Sequence, residues 1–271
     1  MNNFFNIISA SYKRDLQNYL SYKLNLMGEI FTNFFIVLML FYVSSTFKGS
    51  TSAFLEDYDN NYFLFLLTGV MVLSVLSRTF TSLASFVTTS QSLGYLESLI
   101  STRTDFGITL FGSAIFPLTQ SILRIILIYI FSVFYDPGIL NISEIFSIIF
   151  ILLMSSLPFI GISFVIISVQ IIYKKAIFLN TIFILGCSVF SGIFFPIDVL
   201  PKEVSFLTYL FPTTFSVDLI RDIIFTKSSL SIQALKLAFI MIIGVIFVVI
   251  GYTLMKHSIR KAKYDGSIGH Y

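Results

Sequence analysis

Residues without charge fall into long blocks separated by short charged segments. Runs free of Asp, Glu, Lys and Arg occupy residues 30–47, 60–77, 145–173, 176–197 and 237–255, and the block 106–135 is interrupted only by Arg124. A bilayer core of about 30 Å takes roughly 20 apolar residues as helix, so each block is long enough to cross or nearly so. Strands of a membrane barrel alternate polar and apolar residues over about 10 positions; the stretch IFSIIFILLM at 145–154 does not. Helices then remain as the way to satisfy the backbone in lipid. The pattern predicts an all-α integral membrane protein with six transmembrane helices, at 24–47, 60–85, 108–135, 145–173, 176–197 and 235–256, in a single domain over 1–271.

Two further segments fall outside this series. The uncharged run 204–217 is too short to span and suits a re-entrant or interfacial segment. Pro201 and Pro212 separate it from its neighbours, which predicts two short helices with a break at Phe211-Pro212. The second should begin at Thr213 or Thr214 as N-cap and end near Phe225. Together, residues 198–226 are expected to form short re-entrant helices at the outer face before the last span. At the other terminus, Phe5, Ile8, Tyr12, Leu16 and Tyr19 recur at helical spacing, while Arg14, Gln17 and Asn18 point away. Residues 1–23 therefore read as an interfacial helix with its aromatic residues toward lipid. An ordinary helix packed on protein would show the same periodicity.

Composition removes other classes. Of the 271 residues, 56% are hydrophobic and only 11% charged, with a mean hydropathy of +0.91; a soluble domain carries about 25% charged residues. One cysteine excludes a disulfide scaffold, and a net charge of +3 is too small to suggest nucleic-acid binding. The distribution of charge is more informative. With the N-terminus inside, ten basic residues fall on inner segments, among them Lys13, Arg14, Lys23, Arg103, Lys174, Lys175 and Lys263. Five fall on outer segments, and the two short outer loops are acidic, with Glu56, Asp57 and Asp59 in one and Asp136 and Glu144 in the other. This asymmetry predicts a multi-pass protein of the plasma (inner) membrane with both termini cytoplasmic.

Site chemistry is sparse. The two histidines, His257 and His270, lie by the tail, and Cys187 sits inside the fifth block as a packing residue, so no metal site and no catalytic residue are expected. No G-x-S-x-G elbow occurs, and no Gly-Lys pair exists for a Walker A loop. ATP hydrolysis by the P-loop route is therefore not expected of this chain. Ionisable or polar residues at membrane depth mark pathways, which singles out Arg78, Gln120 and Arg124. Arg124 should face the bundle or a dimer interior. No acidic partner is expected at the depth of Arg78 or Arg124, which weakens the alternative of an ion-coupled secondary transporter or channel. A non-transporting membrane scaffold is a further alternative.

Two segments carry a stronger signal. A short helix over residues 93–100 would place Leu93, Leu96 and Ile100 on one side with Glu97 beside them, an exposed apolar ridge suited to docking. A polar linker is the plainer reading. On the second outer helix, Asp218 meets Arg221 at i,i+3 and Asp222 at i,i+4. These three form either a self-neutralising boundary face or part of a passage.

The same segments carry a resemblance. Ser191-Gly192-x-Phe194-Phe195-Pro196, then Leu200-Pro201, Phe211-Pro212, Asp218 and Arg221, resembles the ordered signature of ABC-2 type transporter permeases. The loop Gly94-Tyr95-Leu96-Glu97-x-Leu99-Ile100-x-Thr102 resembles the coupling-helix segment of that family, departing from many members at Arg103, where they carry proline. The resemblance implies the permease subunit of an ATP-driven exporter that dimerises and works with a separate ATP-binding cassette subunit.

 

It further implies two permease copies, a homodimer in membrane lipid, powered by that ATPase subunit, on which ATP and Mg are bound, with no cofactor on this chain. It makes Gly94, Tyr95, Leu96, Glu97, Leu99 and Ile100 the contact with the ATPase, and the N-terminal helix a lateral gate. Pro196, Phe211, Pro212, Asp218 and Arg221 would belong to the closure of the outer end. Polysaccharide exporters of the family tend to carry a basic, Trp-containing entry before the first span. This chain has no Trp, and it resembles more closely the drug- and lipid-exporting branch, whose substrates are amphiphilic, drug-like or lipid-linked.

Overall fold

The computed structural model describes residues 2–46, 58–102, 105–135, 141–173, 178–228 and 232–265. Lys48, Glu56, Asp57, Arg103, Asp136, Lys174, Lys175 and His270 lie outside the described residues, and the expectations that rest on them with them. Among the described residues the chain is helical throughout, without strands.

Five helices are long and apolar enough to cross a membrane: α2 (Lys23–Thr46), α3 (Tyr62–Ser92), α5 (Phe106–Tyr135), α6 (Ile142–Tyr173) and α10 (Ala234–Tyr264). They cover five of the six expected spans, with ends displaced by up to eight residues. The chain is a multi-pass membrane protein. The fifth expected span, 176–197, is represented by a 13-residue helix, α7 (Phe178–Phe190), about 20 Å long. It stops there because the chain turns at Ser191, with Gly192 at φ +69°, a conformation that glycine adopts without a side-chain clash. The remaining helices are α1 (Asn2–Ser21), α4 (Leu96–Ser101), α8 (Lys202–Ser205) and α9 (Pro212–Phe225).

Local chemistry fixes the helix starts. Asn61 caps α3, its Oδ1 accepting from the Leu64 N–H (3.0 Å). Asp105 Oδ1 accepts from the Gly107 N–H (2.8 Å) at the start of α5, and the Asn141 N–H donates to Glu144 Oε2 (2.8 Å) before α6, half of a capping box. The break at Phe211-Pro212 is present, but α9 begins at Pro212 rather than Thr213 or Thr214. Proline at the first helical position loses no hydrogen bond, because that N–H has no partner within the helix.

α3 is the axis of the bundle, with 83% of its apolar window buried; Phe65, Leu67, Met71, Leu76, Phe80 and Leu83 are closed off completely or nearly so. α2 and α10 are peripheral. α6 and α10 meet at glycines: a Cβ on Gly161 would lie 2.5 Å from the Phe247 carbonyl carbon, and one on Gly244 2.7 Å from Pro158 Cδ. Small residues let helices approach where hydrocarbon gives no hydrophobic drive between them. Buried hydroxyls along the spans, such as Ser74, Thr79, Ser121 and Ser163, donate to carbonyls one turn back. One end of the bundle gathers α1, α4 and the C-terminus of α10, and is termed the α4 end. The other gathers α9 and the start of α3, and is termed the α9 end.

α1 turns its aromatic side onto α5. Tyr12 and Tyr19 meet Phe116 edge-on, with centroids 5.7 and 5.6 Å apart, and Ser11 is buried against Gly112. The helix thus packs on protein along the face that the periodicity singled out, while Phe5 stays exposed.

Candidate functional site

Polar side chains on three helices line up at the α4 end. On α3, Arg78, Ser82, Ser85 and Thr89 recur at intervals of four, three and four residues, which places them on one face. Arg14, Asp15 and Asn18 of α1 stand opposite, and Ser113 of α5 and Tyr95 close the sides of a cleft of about 310 Å³. Arg14 spans it, with Nε donating to Asp15 (2.8 Å), Nη2 to Ser113 Oγ (3.2 Å), and the guanidinium over the Phe86 ring at 5.1 Å.

At the inner limit of the cleft Arg78 pairs with Glu29 of α2, and the Tyr19 hydroxyl donates to the same carboxylate. Burial, and then the hydrogen bond to Glu29 and its charge, push the Tyr19 phenol up to about 12, so it stays protonated and donating. One turn along α2, Asn33 Oδ1 accepts from Arg124 Nε (2.9 Å). Gln120, half-buried, lies one turn from Arg124 on the same side of α5. The three pathway candidates therefore border one region. The expectation that Arg78 lacks an acidic partner is corrected: Glu29, near the start of α2, reaches it because α2 packs beside α3. Arg124 turns inward to Asn33 as expected, and has no carboxylate within 4.0 Å among the described residues.

The loop after α3 differs from its expected form. α3 runs on to Ser92, Gly94 takes φ +74°, and α4 starts at Leu96 instead of Leu93. Leu96 (1% exposed) and Ile100 (8%) are not a free ridge. They pack with Leu83, Phe106, Met255 and Ala262, so the short helix buries its apolar side on the chain itself. Leu93, Tyr95 and Glu97 are exposed and Leu99 half-buried. Lys263 Nζ donates to the Ile100 carbonyl (3.2 Å) and fastens α4 to α10. Asp105, which follows, accepts from the Tyr252 hydroxyl (2.7 Å) and lies 3.6 Å from Lys256 Nζ. Burial alone would raise its carboxyl; hydrogen bonds from Tyr252 and the Gly107 N–H, with the Lys256 charge, hold it below the usual range.

At the α9 end the chain folds back on itself. The Ile193 backbone lies against Gly69, about 10 Å below the start of α3, and Ser191 meets Thr213. Pro196, buried, precedes a 3₁₀ turn. Phe211 stacks on Phe190 at 5.8 Å, and Pro212 is buried. Arg221 (4% exposed) has no carboxylate within 4.0 Å among the described residues, although the charge of Asp218 acts on it from one turn away. Its guanidinium lies 3.6 Å from the Phe65 ring centroid, and Nη2 donates to the Phe65 carbonyl (3.3 Å). Asp222 pairs with Lys236 instead. Asp218 borders a recess of about 430 Å³ with Phe215, Leu235 and Phe239.

The family description ABC-2 type transporter matches residues 7–225. The chain belongs to the ABC-2 type transporter family. As an ABC-2 permease it is the membrane component of an ABC system; in the family this component is not itself catalytic, and the ATPase is a separate subunit. No curated protein matches the chain. The matched residues of this ABC-2 permease include the cleft, the α4 loop and all of α9. Sequence reasoning missed Glu29, Asn33 and the Ser82–Ser85–Thr89 face; the i,i+4 spacing of Glu29 and Asn33 and the recurrence along α3 were the signals that could have found them.

Proposed function

We propose that this permease subunit forms the pathway of an ATP-driven exporter for an amphiphilic, drug-like or lipid-linked molecule. The supporting observation is the cleft between α1 and α3, a polar track that enters the side of an apolar bundle. Such a track suits a molecule whose head travels among hydroxyls while its body stays in hydrocarbon.

In this reading the α4 end is cytoplasmic, as are both termini, in the plasma membrane. α7 with its flanks is the fifth of six crossings, and residues 198–226 are the outer re-entrant closure, with Pro196, Phe211, Pro212, Asp218 and Arg221 in it. α1 is the lateral gate. Gly94, Tyr95, Glu97 and Leu99 meet the ATPase subunit, which carries ATP and Mg, while Leu96 and Ile100 anchor the loop. A second copy covers the exposed Phe206, Tyr209 and Leu210 in a homodimer.

The test is reconstitution of the permease with an ATP-binding cassette subunit that co-purifies with it. Candidate amphiphiles should stimulate ATP hydrolysis and accumulate on the far side only when ATP is present. Movement without ATP, or ATP hydrolysis that no amphiphile changes, would overturn the reading.

A further inference from the structure

Glu29 and Asn33 lie one turn apart on α2, and each holds an arginine from a different helix, Arg78 of α3 and Arg124 of α5. Residues at i,i+4 are about 6 Å apart at Cβ, so the two guanidiniums are gathered at one place. Their charges are unequally met. Glu29 supplies one carboxylate for two cations, and Asn33 is neutral.

Hydrogen-bonding capacity is also left over. Arg78 Nε is buried without a partner. Arg124 is bonded through Nε to Asn33, with no further bond to its terminal nitrogens among the described residues. Leu123, the chain neighbour of Arg124 on α5, is exposed, as are Phe31 and Phe35, two positions to either side of Asn33 along α2. A guanidinium is always charged, and its planar fork matches carboxylate, sulfate and phosphate oxygens. An uncompensated cation at membrane depth is costly, and an anion would relieve it.

We infer that Arg124, with Arg78 beside it, binds the anionic headgroup of a membrane amphiphile, whose chains lie along the apolar sides of α2 and α5. This rests on the reading of the cleft as the substrate path for its meaning in transport, and it names the headgroup charge of that substrate class. The site itself is testable without transport, so the two can fail separately.

The absence of native Trp allows a single reporter, Leu123→Trp, beside the site. The full chain carrying it is placed in phosphatidylcholine vesicles with either brominated phosphatidylglycerol or brominated phosphatidylcholine. Quenching should favour the anionic lipid by about fivefold in relative affinity, the weight of one cation at a membrane surface. Arg124→Gln should erase the preference. Asn33→Asp should erase it too, by supplying the missing carboxylate in a side chain of the same shape, while leaving the fold in place. Lys23→Gln should keep it, and so should inorganic phosphate in the buffer. Equal quenching by the two lipids, a preference that survives both Arg124→Gln and Asn33→Asp, or its removal by inorganic phosphate would each overturn the proposal. The last would identify a free oxyanion as the occupant.

Discussion

Arg78 of α3 and Glu29 of α2, 49 positions apart along the chain, form an ion pair at the inner limit of the cleft. Both side chains are about one quarter exposed, so the pair is partly screened. Losing one partner of a buried pair costs about 3–5 kcal/mol, and exposed pairs contribute far less. Glu29→Ala should lower stability by about 1–3 kcal/mol, between those limits. Arg78→Ala together with Glu29→Ala should recover part of it. Thermal midpoints of the four proteins in one detergent give the coupling energy, and strict additivity would show that the pair contributes nothing.

Leu96 and Glu97 are neighbours with opposite exposures, so their substitutions should separate. Leu96→Asp puts a charge into the packed α4 anchor and should destabilise the chain by more than about 3 kcal/mol, even without a partner. Glu97→Ala should leave the thermal midpoint unchanged and reduce the ATPase recovered per permease. Equal recovery with the wild type would remove Glu97 from that contact.

Gly161 allows α6 to touch α10. Gly161→Ala adds a Cβ 2.5 Å from the Phe247 carbonyl carbon, and overpacking of this kind costs about 1–3 kcal/mol. Gly28, with nothing within 4 Å of its added Cβ, is the matched control. Gly28→Ala should be neutral or stabilising, since alanine is the better helix former. A midpoint that falls equally in both variants would locate the effect outside the seam.

Pro212→Ala should still fold, with stability lowered by about 1–3 kcal/mol, because an N1 residue donates no helical bond but two buried methylenes and the ring's stiffness are lost. Export should fall if the Phe211-Pro212 corner shapes the outer closure. Export assayed at matched expression decides this, and wild-type rates would reduce the corner to loop geometry.

The long spans were legible because hydrocarbon tolerates few charges, and the charge-free runs show where α2, α3, α5, α6 and α10 lie. The Phe211-Pro212 break was legible because proline cannot continue a preceding helix. Pairings across the bundle were not. Nothing local in the sequence says that Glu29 will meet Arg78, since that depends on how α2 packs against α3. The α4 loop shows the same limit from the other side: the spacing of Leu96 and Ile100 marked an apolar face, but not what would cover it. Gly94 at φ +74° ends the run of α3 and removes Leu93 from the face on which periodicity alone had put it.

α10 is 31 residues long, about 46 Å, and a hydrocarbon core is about 30 Å thick. Upright, roughly three turns of it would stand clear of the lipid tails, and its basic end carries Lys256, Arg260, Lys261 and Lys263. Basic residues at the end of a span favour the depth of the lipid phosphates, which would set a waterline for the whole bundle. Because Lys263 also holds the Ile100 carbonyl, the height of α4 above the hydrocarbon is tied to that waterline. A thicker or thinner bilayer would then change how far α4 stands out from the membrane, without a substitution anywhere in the chain.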